Sequence, residues 1–158
     1  MHLHTETALD SHEIRVYTRI MSSSTCSCVA LRRAARTITH LYDTLLEPSG
    51  LNVAQLSLLR QVRRLGAPNI STLAETQQLD RTTLSRNLAV LERAGLVAIA
   101  AGDDLRARTV SLTEQGAQAL DNAAPLWDAA QARVAEHLGR ERLQQLEELL
   151  ADVETLTR

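Results

Sequence analysis

The hydrophobic period of the chain changes from helical to strand-like at Gly95. Before this glycine, leucines recur at intervals of three and four along residues 81–94. After it, residues 96–99 and 108–112 form two short runs typical of strands, and residues 100–104 between them have turn chemistry. Two short strands with a polar tip predict a hairpin. Because an isolated hairpin is only marginally stable in water, this one must pack against the preceding helices.

Four helices are predicted before the hairpin. The first runs from about Val29 to Leu46, where apolar residues recur at helical spacing, and Pro48-Ser49-Gly50 ends it. The second ends at Gly66-Ala67-Pro68, the third is short and runs from Thr72 to Gln77, and the fourth covers the leucine-rich stretch before Gly95. Residues with side chains suited to cap these last three helices are Asn52, Ser71 and Asp80.

Two further helices are predicted after the hairpin. Thr113 and Glu114 open a long helix, in which Pro125 produces a kink rather than an end, and Gly139 separates it from a final amphipathic helix. The chain has six glycines, three prolines and no phenylalanine, which also favours helices over a β-sandwich or barrel. The predicted fold class is therefore mainly α, with the order α-α-α-α-β-β followed by two helices.

The composition excludes several functions. All 17 basic residues are arginines, so phosphate loops with a catalytic lysine, Schiff-base chemistry and a lysine base are ruled out. The sequence also lacks the nucleophile-elbow and zinc-protease motifs, which argues against an enzyme. It contains no run of apolar residues long enough for a membrane span and no apolar core of a signal peptide in its first 20 residues. We expect a cytoplasmic protein with no membrane partner, and Met21 is a candidate alternative start.

The third and fourth predicted helices resemble a helix-turn-helix that continues into a winged helix. The start of the fourth helix exposes hydrogen-bonding side chains and has no acidic residue between Asp80 and Glu92. Such a surface suits contacts with base edges and phosphates in the major groove, whereas the alternative is a merely solvated helix face. The candidate DNA-binding residues are Ser71, Thr72, Arg81, Thr82, Thr83, Ser85 and Arg86.

Charge and the hairpin tip are consistent with this interpretation. The net charge is −2 overall, but residues 60–112 carry eight arginines and five acids, while residues 113–158 carry four arginines and nine acids. At the tip, Arg106 is a candidate for the minor groove, and Asp104 could brace its guanidinium through a carboxylate pair. The alternative is a solvated turn with a weak exposed ion pair.

Three segments resemble the MarR family of bacterial winged-helix regulators: Leu79–Leu88, Leu91–Val97 and Asp104–Gly116. The order of elements matches the family from about Val29 to Leu156. The chain departs from the family at Gly102-Asp103, where an arginine-bearing part of the wing often stands. The Asp104 and Arg106 half of the wing is the part that matches.

The resemblance implies an obligate homodimer whose first and last helices interleave across a two-fold axis. It assigns a dimerisation helix to 26–50, a winged helix-turn-helix to 51–112 and C-terminal dimerisation helices to 113–158. Residues 1–25 show no useful period, which predicts a mobile tail. The leucine stripe of the final helix, which has no remaining partner in a small monomer, agrees with this assignment. Two-fold symmetry implies a pseudo-palindromic operator in double-stranded DNA.

The family also responds to effectors, and the sequence offers two kinds of candidate. Cys26 and Cys28 could respond to an oxidant or bind a soft metal or metalloid, or they could be two incidental reduced thiols. Arg36 and His40, four residues apart on the first helix, and Trp127 on the fifth are candidates for holding a small aromatic acid. No cofactor is required.

The predicted function is a homodimeric DNA-binding transcriptional regulator, a repressor that an effector releases from its operator. The effector is either a small aromatic ligand or a thiol-reactive species that acts on Cys26 and Cys28. The alternative is a helical dimeric protein-interaction module that does not bind DNA. Only the regulator accounts for the arginine-rich face of the fourth helix and predicts binding that weakens steeply with salt.

Overall fold

The computed structural model describes residues 26–101 and 108–156. This part of the chain contains six α-helices and one two-stranded sheet, which confirms the predicted mainly α fold. None of these helices is long and apolar enough to cross a bilayer. The elements are α1 (Ser27–Leu46), α2 (Val53–Leu65), α3 (Ile70–Gln77), α4 (Arg81–Arg93), β1 (Val97–Ala101), β2 (Arg108–Leu112), α5 (Glu114–Leu138) and α6 (Arg140–Glu154), with a 3₁₀ turn at Glu47–Ser49.

Leucines dominate the core, as expected for a chain without phenylalanine. The spacing of leucines predicts a buried stripe on α4, and Leu84, Leu88 and Leu91 are indeed buried. They meet apolar residues of the other helices and of the hairpin in one cluster. The largest fully buried side chains are Leu46, Leu56, Leu59, Val62, Leu73, Leu84, Leu88, Leu91, Val110 and Leu120.

The hairpin is held by its own ladder and by the segment that leads into α3. Strands β1 and β2 pair antiparallel, with Val97 opposite Leu112 and Ala101 opposite Arg108. The Val110 N–H donates to the Pro68 carbonyl at 2.9 Å, and Asn69 forms a bridge with Thr109. The hairpin is therefore attached to the helix-turn-helix at a third strand-like segment, as the marginal stability of a lone hairpin requires.

The prediction that Ser71 caps α3 is wrong. The helix begins at Ile70, and the Asn69 side chain caps it by accepting from the Thr72 N–H at 2.8 Å. Asn69 is also the residue that bridges to β2, so pairing with the hairpin holds it in the extended conformation that an N-cap needs. The predicted caps Asn52, Asp80 and Thr113 are all confirmed.

The start of α5 is bound to the base of the hairpin. The Thr113 hydroxyl donates to the Gly95 carbonyl at 2.6 Å and accepts from the Gly116 N–H at 2.9 Å. The Thr113 N–H donates to the Leu96 carbonyl at 3.2 Å. A Cβ at position 116 would lie 1.9 Å from that same carbonyl oxygen. The first turn of α5 can approach the backbone this closely only because residue 116 is glycine.

Side-chain contacts also connect the later part of α1 to α2 and α5. The Tyr42 hydroxyl donates to the Gln131 side chain, and the burial of Tyr42 raises its pKa. An Asp43 carboxylate oxygen accepts from the Val53 N–H at 2.8 Å at the start of α2. The chain divides into two structural units between Ile38 and Thr39, within α1, so these contacts all lie in the second unit.

Helix α6 leaves its apolar stripe in solvent. None of its residues is buried. The preceding helix α5 continues through Pro125, as predicted, and Gly139 separates it from α6. The exposed apolar side chains of this region are Leu146, Leu149, Leu150, Val153 and Leu156. Helix α1 also exposes Val29, Leu31 and Ile38.

Substituting Gly116→Ala should destabilise the protein. The added methyl group collides with a backbone carbonyl, and overpacking of this kind costs about 1–3 kcal/mol or more. Urea unfolding followed by circular dichroism measures the loss. The matched control is Gln118→Ala, an exposed position in the same turn region of α5. Equal stability of Gly116→Ala and Gln118→Ala would contradict the close approach.

Candidate nucleic-acid interface

The outward face of α4 carries the side chains that the sequence singled out. Arg81, Thr82, Ser85 and Arg86 are all exposed, whereas the leucines of the same helix are buried in the core. The 3.6-residue period of a helix produces this separation, because residues three or four apart share a face. The same helix thus contributes to the core on one side and presents four hydrogen-bonding side chains on the other.

The acidic residue at the start of α4 is occupied locally. Asp80 accepts from the Thr83 N–H at 2.9 Å and from the Thr83 hydroxyl at 2.6 Å. These two bonds hold the pKa of Asp80 below its usual range, with the hydroxyl bond the larger cause. Thr83 is half-buried, does not line the outward depression of this helix, and donates its hydroxyl to the cap residue Asp80. The structure therefore separates Thr83 from the other candidate contacts of this helix.

A shallow depression lies on the outward face of α4. Arg81, Thr82, Ser85, Arg86 and Ala89 line it. Ala89 was absent from the sequence-based candidates, since alanine makes no hydrogen bond. Its spacing, four residues after Ser85 and seven after Thr82, is the signal that would have placed it on this face.

Helix α3 places its predicted contacts at its first turn. Ser71 and Thr72 are both exposed, one residue and two residues after the first residue of the helix. The Thr72 N–H is taken by Asn69, and the Thr72 carbonyl accepts from the Thr76 hydroxyl at 2.7 Å. Helix α3 ends at Gln77, and Gln78 after it adopts a left-handed conformation. Leu79 then separates Gln78 from Asp80.

The hairpin adds Arg108 and Ser111 to the exposed surface, on strand β2. The tip residues Asp104 and Arg106 lie outside the described residues. The proposed contact of Arg106 with a minor groove, and the bracing role of Asp104, stay predictions from the sequence.

The arginines of α4 have no carboxylate partner in the described ranges. The ion pairs found there are Arg63 with Asp121 at 2.9 Å and Arg133 with Glu136 at 3.0 Å. Both involve exposed side chains on other helices, so they contribute little to stability. The positive charge of Arg81 and Arg86 is therefore not neutralised by neighbouring acids of this part of the protein.

The two thiols lie at the start of α1. Cys26 and Cys28 are exposed and unpaired with each other. Cys26 immediately precedes the helix, and its carbonyl accepts from the Ala30 N–H at 3.0 Å, while Cys28 lies in the first turn. Within residues 26–101 and 108–156, no group of three or more His, Cys, Asp or Glu side chains is placed to hold a metal ion.

The candidates for an aromatic ligand lie in different surroundings. Arg36 and His40 are exposed on α1, one helical turn apart. Trp127 is half-buried on α5 beside the core, and the Arg60 guanidinium stacks 3.9 Å from the centre of its ring. This cation–π contact was not predicted from the sequence, because Arg60 and Trp127 are far apart along the chain and only packing of α2 on α5 brings them together.

Comparisons with known proteins agree with the fold. The MarR family model matches residues 49–107, and the comparison with curated proteins found no match. The transcriptional regulator MosR of M. tuberculosis, solved in complex with DNA, is 38% identical to this chain with a TM-score of 0.74, covering 85% of this chain and 99% of that one.

Two rhodococcal structures are more distant. A MarR-family transcriptional regulator from Rhodococcus sp. RHA1 is 26% identical with a TM-score of 0.72, covering 84% of this chain and 97% of that one. CouR from Rhodococcus jostii RHA1, bound to p-coumaroyl-CoA, is 25% identical with a TM-score of 0.70, covering 85% and 96%. The likeness therefore extends over nearly the full length of each of these regulators.

One assignment follows from the winged helix-turn-helix fold, the family match and the 38% identity to a DNA-bound regulator. The chain belongs to the MarR family of DNA-binding transcriptional regulators.

Proposed function

We propose that the protein is a homodimeric repressor that binds a pseudo-palindromic operator through α4 of each subunit and leaves it when an effector binds. The observation that carries this proposal is the outward face of α4, where Arg81, Thr82, Ser85 and Arg86 are exposed and lack a carboxylate partner in the described ranges. Arginine suits both guanine edges and phosphates, and the hydroxyls can bond to either. The relative MosR, crystallised with DNA, supports binding to DNA.

Helix α3 contributes positioning contacts in this proposal. Its first turn exposes Ser71 and Thr72, which suit hydrogen bonds to phosphate oxygens. Such contacts set the register of the protein on the duplex without specifying sequence. Thr83 acts indirectly, because its N–H and hydroxyl donate to the Asp80 carboxylate and so hold the first turn of α4, which carries Arg81 and Thr82.

The apolar stripe of α6 supports the proposed dimerisation. Leu149 is 63% exposed and Leu156 is 79% exposed, with Leu146, Leu150 and Val153 beside them on the same face. A contiguous apolar face on a water-soluble helix marks an interaction surface. A second copy of the chain provides a self-complementary face through two-fold symmetry, which is also the symmetry of a palindromic operator.

Two kinds of effector are candidates for releasing the protein from its operator. The exposed thiols Cys26 and Cys28 support a thiol-reactive species, and the p-coumaroyl-CoA bound by the relative CouR supports an aromatic ligand. DNA binding itself needs no cofactor in this proposal. Either effector must favour the form of the dimer that does not fit the operator, because tight binding alone shifts no equilibrium.

The substitution Arg86→Ala should weaken operator binding by about 1–3 kcal/mol for each subunit if Arg86 contacts a base. If it contacts a phosphate instead, the slope of log K against log salt should become shallower by about 1 for each phosphate that is no longer neutralised. Fluorescence anisotropy between roughly 50 and 300 mM salt, where the Debye length is on the order of 10 Å, separates the two cases. The charge-matched control is Arg140→Ala, an exposed arginine at the start of α6.

Unchanged affinity and slope in Arg86→Ala and in Arg81→Ala would remove α4 from the interface. Absence of any salt-dependent binding by the wild-type protein would favour the alternative, a helical interaction module that does not bind DNA.

The substitution Leu149→Glu should convert the dimer to a monomer and lower operator affinity by about 100-fold or more, because two linked half-site contacts become one. Leu149 is exposed, so the fold of each subunit should persist. Analytical ultracentrifugation gives the mass, and anisotropy gives the affinity. Ala151→Glu adds the same charge to an exposed position on the other side of α6 and is the matched control. A dimeric Leu149→Glu variant would exclude this face.

Thiol-reactive and aromatic effectors can be separated on the protein–operator complex. If thiols sense the effector, hydrogen peroxide or arsenite should release the DNA, and Cys26→Ser/Cys28→Ser should abolish that release. If the effector is aromatic, a panel of hydroxycinnamic acids and their CoA thioesters should release the DNA from wild type and double variant equally. Release by none of these compounds would contradict both candidates.

A further inference from the structure

The five residues that line the depression on α4 differ in size and charge across the helix face. On a helical projection at about 100° per residue, its five lining residues cover about 140°, with Arg81 and Arg86 at the two margins. Ser85, Ala89 and Thr82 lie between them. The depression therefore has long cationic side chains at its edges and short side chains at its centre.

The centre of the depression offers methyl groups and hydroxyls. Thr82 and Ala89 each present a methyl group, and Thr82 and Ser85 each carry a hydroxyl. In the major groove, thymine is the base that projects a methyl group toward the protein, and apolar contact from alanine or threonine suits it. Short side chains allow that methyl group to approach the helix closely.

We propose that this depression receives the C5-methyl group of a thymine in each half-site, with Arg81 and Arg86 contacting guanines on either side of it. The inference rests on the proposed binding of operator DNA through α4. Arginine pairs with guanine through the O6 and N7 acceptors, which lie at the same edge of the duplex as the thymine methyl.

The other bases fit this surface less well. Cytosine presents an amino donor that a carboxylate would accept, and adenine is best matched by the amide of Asn or Gln. None of the five lining residues carries a carboxylate or an amide. Asp80, the acid that precedes the helix, already accepts both the N–H and the hydroxyl of Thr83. The lining thus favours thymine flanked by guanine.

The experiment begins with duplexes that the full-length protein selects from a random-sequence pool. Each thymine of the selected site is then replaced by deoxyuridine, which removes only the methyl group, and the dissociation constant is measured by anisotropy. We expect one position in each half-site at which the replacement weakens binding about fourfold, the effect of one buried methyl group. Replacement in both half-sites should weaken binding by roughly the product of the two effects.

Variants assign the effect to the depression. Thr82→Ser removes a methyl group and keeps the hydroxyl, and Ala89→Gly removes the other methyl group. Each should bring the ratio of uracil to thymine dissociation constants at that position closer to one. Val90→Ala is the control, because Val90 is 43% exposed on the same helix but does not line the depression. Circular dichroism verifies that each variant is folded.

Two failures have different meanings. If the protein binds selected DNA but no thymine position responds to uracil, or the response is the same in all variants, the thymine contact is wrong and the proposed regulator stands. If the protein selects no DNA and shows no salt-dependent binding, the proposed operator binding fails, and this inference fails with it.

Discussion

The approach of α5 to the base of the hairpin is the constraint on which the other elements depend. Thr113 bonds to Gly95 and Leu96, and Gly116 leaves space for the Leu96 carbonyl. Gly95 ends the helix that carries the candidate DNA contacts, while Thr113 begins the helix that leads to the exposed leucine stripe. This short set of backbone contacts therefore relates the winged helix to the C-terminal helices.

Helix α4 shows how one element serves stability and recognition together. Its leucines are buried because the core needs them, and the 3.6-residue period leaves the intervening residues free of that requirement. The capping bond of Asp80 has two consequences: it starts the helix, and it engages a carboxylate that lies next to Arg81 in the chain. The same bonds favour the ionised form of Asp80, so its carboxylate stays charged at the start of α4.

Several features of the fold and site were predictable because they depend on local chemistry. The α4 stripe, the caps at Asn52, Asp80 and Thr113 and the break at Gly139 all follow from residues within a few positions of one another. Ser71 was a wrong prediction because Asn69 is an equally good cap and also pairs with Thr109, which is distant in sequence. The stacking of Arg60 on Trp127 and the place of Ala89 in the depression were not predicted, since each depends on surroundings rather than on residue type.

By itself, the sequence determined the order of elements, the exposed arginine and hydroxyl face of α4 and the resemblance to MarR regulators, because periodicity, caps and local motifs specify these without long-range contacts. Only the tertiary structure decided that the hairpin is tied to α3 through Pro68 and Asn69 and that α5 approaches Leu96 so closely. It also showed that the Thr83 hydroxyl donates to Asp80 at the cap of α4. The physical reason is that packing and backbone pairing join residues across dozens of positions, and neither composition nor local spacing encodes which partners meet.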